Sequence, residues 1–129
     1  MRTIIFQPFN RRAVNLQTYE GVPGIYILGF YDKKERRIEL RYFGRSDSCL
    51  RRRLNNHILR SGFEYFYCVS CVDSIQAFFR ECSLWHALEG EDHILNKIHP
   101  DTPNGAVISC PYCATTAEFR KFITKRLAG

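Results

Sequence analysis

The sequence predicts an α/β domain of the α+β kind, in which a small central antiparallel sheet of three strands is flanked by helices. Three observations carry that prediction. Residues 24–31 and 37–43 are two runs rich in Ile, Tyr, Leu and Phe, separated by the polar DKKER. Apolar residues then recur at helical spacing at Leu50, Leu54 and Ile58. A dense aromatic run, FEYFYCVSCV over 63–72, precedes a second helical pattern. With 129 residues, 45% of them apolar, the chain can bury one real core and is short for two.

Taken in order, residues 1–21 have weak patterning and are expected to form an N-terminal extension with a short strand. GVPG at 21–24 is turn chemistry that launches the first long strand. The two runs around DKKER then read as an antiparallel hairpin. After Gly44, Asp47 or Ser48 offers a helix N-cap, and Ser61 with Gly62 offers a stop. The run 63–72 reads as the third strand because aromatic and β-branched residues suit a half-buried pleated surface. Asp73 or Ser74 caps the next helix, SIQAFFRECSLWHAL, which is interrupted by Glu89 and Glu91. ILNKIHPDTPNG, with two prolines, is expected to wrap back over the domain as a loop. CPYC makes a tight turn, and Thr115 or Thr116 can cap a final helix, AEFRKFITKRL. The expected organisation is an extension at 1–21, a core domain at 22–104, and a turn plus helix at 105–129 packed on that core.

The 19 Lys and Arg exceed the 13 Asp and Glu, giving a formal charge of +6. Residues 31–60 hold ten of those cations against four acids, so the excess is concentrated there and a polyanion is the expected partner. The plainer reading is a solvated, solubilising face. No apolar run reaches membrane-spanning length, and Gln7, Pro8 and Asn10 break the short N-terminal apolar patch. A soluble cytoplasmic protein without membrane contact is expected, and six cysteines in such a setting point to reduced thiols or metal ligands.

Tyr26 and Tyr42 each stand next to glycine-bearing strand ends, and a tyrosine on a strand is ordinarily a packing residue. The following helix alters that reading. Arg53 and His57 are four apart and project from one helical face, so tyrosine, arginine and histidine can converge on a single phosphate.

Here the sequence resembles the GIY-YIG nuclease family. The resemblance rests on Gly24-Ile25-Tyr26, on Tyr42-Phe43-Gly44 where the family has Tyr-Ile-Gly, and on Arg53 followed by His57; it spans about residues 22–104. It implies a metal-dependent endonuclease that hydrolyses DNA phosphodiester bonds, with RNA as the alternative substrate. A family glutamate is implied on the helix after the third strand, and a family asparagine downstream. Two registers supply them: Glu81 with Asn96, or Glu91 with Asn104. The first is preferred because the second needs about ten extra residues between strand and helix. The implied roles are Mg2+ or Mn2+ at Glu81 and two N–H bonds from Arg53 to phosphate oxygens. Tyr26 would position or deprotonate water, with Tyr42 and His57 completing the hydrogen-bond chain and Asn96 bracing. Arg45, Arg51 and Arg52 are expected to touch the nucleic-acid backbone. The alternatives are a non-cleaving nucleic-acid-binding module of the same fold and a zinc-stabilised adaptor. No separate recognition domain is visible, so a homodimer or a partner protein is expected to assist binding.

Cys82 and His86 are four apart on one expected helix, and Cys110-Pro-Tyr-Cys113 is a compact turn. Together they would form a closed Cys3His site of structural zinc composition, and this tail resembles that of some small GIY-YIG-like bacterial proteins. Competing ligands are Cys68, Cys71 and His99. Cys68 and Cys71 lie three apart in a strand, where side chains i and i+3 point to opposite faces. A redox role for the Cys110/Cys113 pair is the remaining reading.

Overall fold

In the computed structural model, residues 5–89, 91 and 94–113 are described. The chain runs β1 (Gln7–Pro8), α1 (Arg11–Gln17), β2 (Gly24–Asp32), β3 (Arg37–Ser46), α2 (Leu50–Arg60), β4 (Tyr65–Ser70) and α3 (Ser74–Leu88). The strands form one antiparallel sheet in the order β1-β4-β2-β3. It has one strand more than expected, because Gln7 and Pro8 pair with Phe66 and Tyr65 of β4. Two residues are too few to show a strand pattern in sequence.

β2 is the inner strand between β4 and β3, and its first six residues, Gly24 to Gly29, are all buried. Side chains alternate along it. Tyr26 and Leu28 pack with Val14 of α1, Leu50 and Leu54 of α2, and Phe66 of β4. Ile25 and Ile27 face the other way, toward Ala77, Trp85 and Leu88 of α3. The sheet is therefore covered by α1 and α2 on one face and by α3 on the other. Burying a Leu or Phe side chain in this way stabilises the fold by about 1.5–3 kcal/mol each.

The hairpin turns at Asp32, whose Oδ1 accepts the N–H groups of Lys34 (2.9 Å) and Glu35 (3.3 Å). That local bond favours a turn over continued strand pairing, and Arg36 closes it with φ of 54°. Helix α1 is an element the sequence does not announce. Asn10 Oδ1 accepts the Ala13 N–H at 2.8 Å as an N-cap, and Val14 is its one fully enclosed residue. Arg51 of α2 ties α1 down by donating to Thr18 Oγ1 (3.1 Å), Thr18 O and Asn15 O (3.0 Å).

The N-cap of α2 is Cys49 rather than Asp47 or Ser48. β3 continues to Ser46, whose Oγ accepts the Cys49 N–H at 3.0 Å, and Asp47 turns away to Arg45. Helix α3 begins as expected, with Asp73 Oδ1 accepting the Gln76 N–H at 2.8 Å. The final helix expected over 117–127 lies outside the described residues. None of the described helices is long and apolar enough to cross a membrane.

A candidate phosphate-facing cleft and a His2Cys2 cluster

The cleft opens where β2 begins and β3 ends against the start of α2, and Tyr26, Tyr42, Arg45, Asp47, Arg53 and Glu81 line it in a volume of about 340 Å³. Tyr26 pairs across the strands with Gly44. A Cβ on residue 44 would stand 2.6 Å from Tyr26 Cζ and still closer to its hydroxyl. Gly44 is thus required by the close approach of the Tyr26 ring.

Tyr26 is 1% exposed, and its hydroxyl lies 2.8 Å from His57 Nε2. The rings of Tyr26, Tyr42 and His57 stand within 6.2 Å of one another, with Tyr42 stacked on Phe63. Burial raises the Tyr26 phenol above its ordinary value and Tyr42 adds to this, while the Arg53 charge pulls it only part of the way back. Burial lowers His57, and Arg53 lowers it further. Both groups are neutral at pH 7, so the phenol can donate to Nε2 with the imidazole proton on Nδ1.

Glu81 comes from α3 on the opposite face of the sheet and reaches the cleft past the end of β3. Its carboxylate accepts from Arg45 Nη1 at 2.8 Å, and Arg45 Nε donates to Asp47 Oδ1 at 2.7 Å. One guanidinium therefore joins two carboxylates. Burial raises Glu81, and Arg45 offsets that only in part. The alternative glutamate, Glu91, lines a different depression beside Trp85, Leu88 and Asn96, and Asn104 is exposed in the loop.

Asn96 does not line the cleft. Its Oδ1 accepts the Phe43 N–H at 3.0 Å and its Nδ2 donates to Phe43 O at 2.7 Å. It thereby grips β3 one residue before Gly44. Of the three cations expected at the nucleic-acid backbone, Arg52 is exposed, whereas Arg51 is committed to α1 and Arg45 to the carboxylates. Asp47, Asn56 and Arg60 were not singled out from sequence. Asp47 read as a helix cap, and the other two belong to a basic helical face whose direction only tertiary packing decides.

A second cluster lies at the far end of α3. Nε2 of His86 is 3.5 Å from Cys110 Sγ and 3.3 Å from Cys113 Sγ, and Cys113 Sγ is 3.4 Å from His99 Nε2. All four ligand atoms lie within 4.8 Å of one another. Tetrahedral zinc with bonds of about 2.3 Å to sulfur and 2.0–2.1 Å to nitrogen has S···N edges of about 3.5 Å, so the cluster could bind a metal such as zinc. Partners on the other ring nitrogens aim both histidines: Glu89 stands 3.6 Å from His86 Nδ1, and Pro100 O lies 2.8 Å from His99 Nδ1.

The cluster corrects one expected member. His99 takes the fourth place, and Cys82 does not belong to the group. Cys82 and Phe78 project inward together, fully enclosed with Cys110 in an apolar cluster, and burial, with the Cys110 contact, pushes the Cys82 thiol up to about 12. Cys110 behaves oppositely. Burial raises it, but hydrogen bonds from His99, the Cys113 and Tyr112 N–H groups and Cys82 prevail and bring it down to about 6. Of the remaining competitors, Cys71 is buried against Ile25 and Ala77, and burial pushes Cys68 in β4 up to about 11.

No protein-family model, curated protein or solved structure matches this chain.

Proposed function

We propose that this chain is a metal-dependent endonuclease of the GIY-YIG type, hydrolysing phosphodiester bonds of DNA. One observation carries the reading. Tyr26, Tyr42, Arg53 and Glu81 share a single cleft although they come from two strands and from helices on both faces of the sheet. A fold that only needed packing residues has no reason to bring an arginine and a glutamate beside a buried tyrosine and its partly buried neighbour Tyr42.

The residues suit distinct tasks in the displacement. Arg53, free of ion pairs among the described residues, can offer two parallel N–H groups to non-bridging phosphate oxygens. Water attacks phosphorus, one bridging P–O bond breaks, the departing oxygen leaves as a hydroxyl by taking a proton from solvent, and the attacking water gives up a proton. The Tyr26 hydroxyl can take that proton while passing its own to neutral His57, which avoids a free phenolate in a buried site. Glu81, with Asp47 nearby, is the donor set for Mg2+ or Mn2+. It fits a cation in that the Arg45 guanidinium already bridges the two carboxylates. The chemistry such an ion supplies when bound is Lewis acidity toward the phosphate. Zinc at His86, His99, Cys110 and Cys113 would be structural, clamping the loop to α3, because four protein ligands leave no open position.

A non-cleaving DNA-binding module is the second reading, favoured by the Arg45–Glu81 pair, which occupies the carboxylate a catalytic ion would need. Nicking of supercoiled plasmid with Mg2+ decides between them, using Arg53→Ala and Tyr26→Phe variants shown to be folded. Nicking by the wild type and its loss in both variants supports the enzyme. Salt-sensitive binding without nicking by the wild type supports the module.

A further inference from the structure

We propose that the exposed face of α2 is a track for the backbone of one nucleic-acid strand, running from the Tyr26 cleft to Arg60. The proposal takes its ligand class from the nucleic-acid reading above, and adds where the strand lies and which groups follow it.

A second depression, of about 280 Å³, runs along α2 and is lined by Ser46, Ser48, Arg52, Arg53, Asn56 and Arg60 among others. It shares Ser46, Ser48 and Arg53 with the Tyr26 cleft, so the two depressions adjoin. A phosphate gripped by Arg53 would have its neighbours on the same strand directed along α2.

The character of the lining is consistent along its length. No carboxylate among the described residues lines this depression. Among the described residues, Arg53, Asn56 and Arg60 have no side-chain hydrogen bond or ion pair, and Arg52 has only a long contact of 3.9 Å to Glu20 across two largely exposed side chains. Such a pair contributes little, which leaves Arg52 available. The neighbouring Arg51 makes the contrast clear, since all its bonds are spent holding α1. A merely solubilising face would have no reason to exclude acids from one stripe.

Spacing adds an independent argument. Residues 52, 56 and 60 recur every four positions, so they form one stripe about 12 Å long at about 1.5 Å per residue. One strand carries one charge per about 3.4 Å of axis, and the stripe spans about three consecutive phosphates. Asn56, in the middle, can hydrogen-bond a phosphate or sugar oxygen without adding charge.

The test is fluorescence anisotropy of a labelled single-stranded oligonucleotide, with the full chain, without added divalent cation, over a series of NaCl concentrations. Two lost contacts at about 0.7 each on a single strand should lower the slope of log K against log salt by about 1.4. The proposal expects that loss in the double variant Arg52→Ala, Arg60→Ala. It expects almost none in Lys33→Ala, Lys34→Ala, which removes the same charge from the hairpin. Equal slopes for wild type and the α2 variant, or equal losses in both variants, would overturn the track. Circular dichroism of each variant guards against misfolding, and single Arg60→Glu reversal at this exposed position gives a second reading of the same slope. The assay reads binding alone. A failed nicking experiment with an intact slope difference sinks the enzyme and keeps the track, and nicking with unchanged slopes does the reverse.

Discussion

The Tyr26 hydroxyl lies 2.8 Å from Nε2 of His57, so the buried phenol is hydrogen-bonded to a neutral imidazole on α2. Cleavage that uses this bond needs His57 unprotonated and Glu81 ionised. His57 is lowered from 6.5 and Glu81 is raised from 4.5. Activity should therefore fall as pH drops and Glu81 protonates, with its acid limb above the ordinary carboxylate value because burial raises Glu81. A pH–rate profile of plasmid nicking checks this, and an acid half-point at or below 4.5 would contradict it. His57→Ala should slow cleavage by about 10²–10⁴-fold.

Arg45 and Glu81 are mutually dependent because their side chains are only 11% and 12% exposed. Arg45→Ala leaves a buried carboxylate without its counter-charge, and should cost about 3–5 kcal/mol at neutral pH. Mn2+ can then take the place of the guanidinium. Urea unfolding with and without Mn2+ should show a larger stabilisation in the variant than in the wild type; equal stabilisation would separate Glu81 from divalent-ion binding.

Gly44→Ala drives a methyl group into the Tyr26 ring, and overpacking of this kind costs about 1–3 kcal/mol. Gly62→Ala is the matched control, because a Cβ there meets nothing within 4 Å and should change stability by less than about 0.5 kcal/mol. The comparison is made by denaturant midpoints. Loss of nicking should accompany Gly44→Ala even at temperatures where the variant remains folded.

The His2Cys2 cluster predicts that the purified chain carries about one zinc per molecule, measured by plasma emission. His99→Ala and Cys113→Ser should each lower the zinc content and the melting temperature. Cys82→Ala should keep the metal. Retention of zinc by His99→Ala together with its loss in Cys82→Ala would restore the Cys3His composition.

The readable parts of this fold are those whose signals are local. Leu50, Leu54 and Ile58 mark α2, and Asp73 marks the start of α3, since spacing and capping act within a few residues. Helix α1 escapes because its stability comes from elsewhere: a single enclosed Val14 gives no period, and Arg51, more than thirty residues away, supplies the tie. The same division runs through the site. Tyr26, Tyr42, Arg53 and His57 share one sheet face and its adjoining helix, so strand alternation and the four-residue helical step bring them together. Glu81 belongs to the other face, and its entry to the cleft depends on where α3 passes the end of β3. Cys82 and His86 look alike in spacing, yet the inward turn of α3 gives one to the core and the other to His99. No local rule separates them.

Asn96 has a consequence for how copies of this chain can meet. β3 is an outer strand, and its outward backbone groups would otherwise be a template for another strand. Leu95 N–H donates to Arg41 O at 2.7 Å, and Asn96 satisfies both the donor and the acceptor of Phe43. The chain has in effect supplied its own strand there, so that stretch of edge is closed to β-augmentation and to edge-to-edge aggregation. Strand pairing between copies is thereby kept off the Arg41–Phe43 stretch of β3, leaving the cleft beside Gly44 open to its substrate.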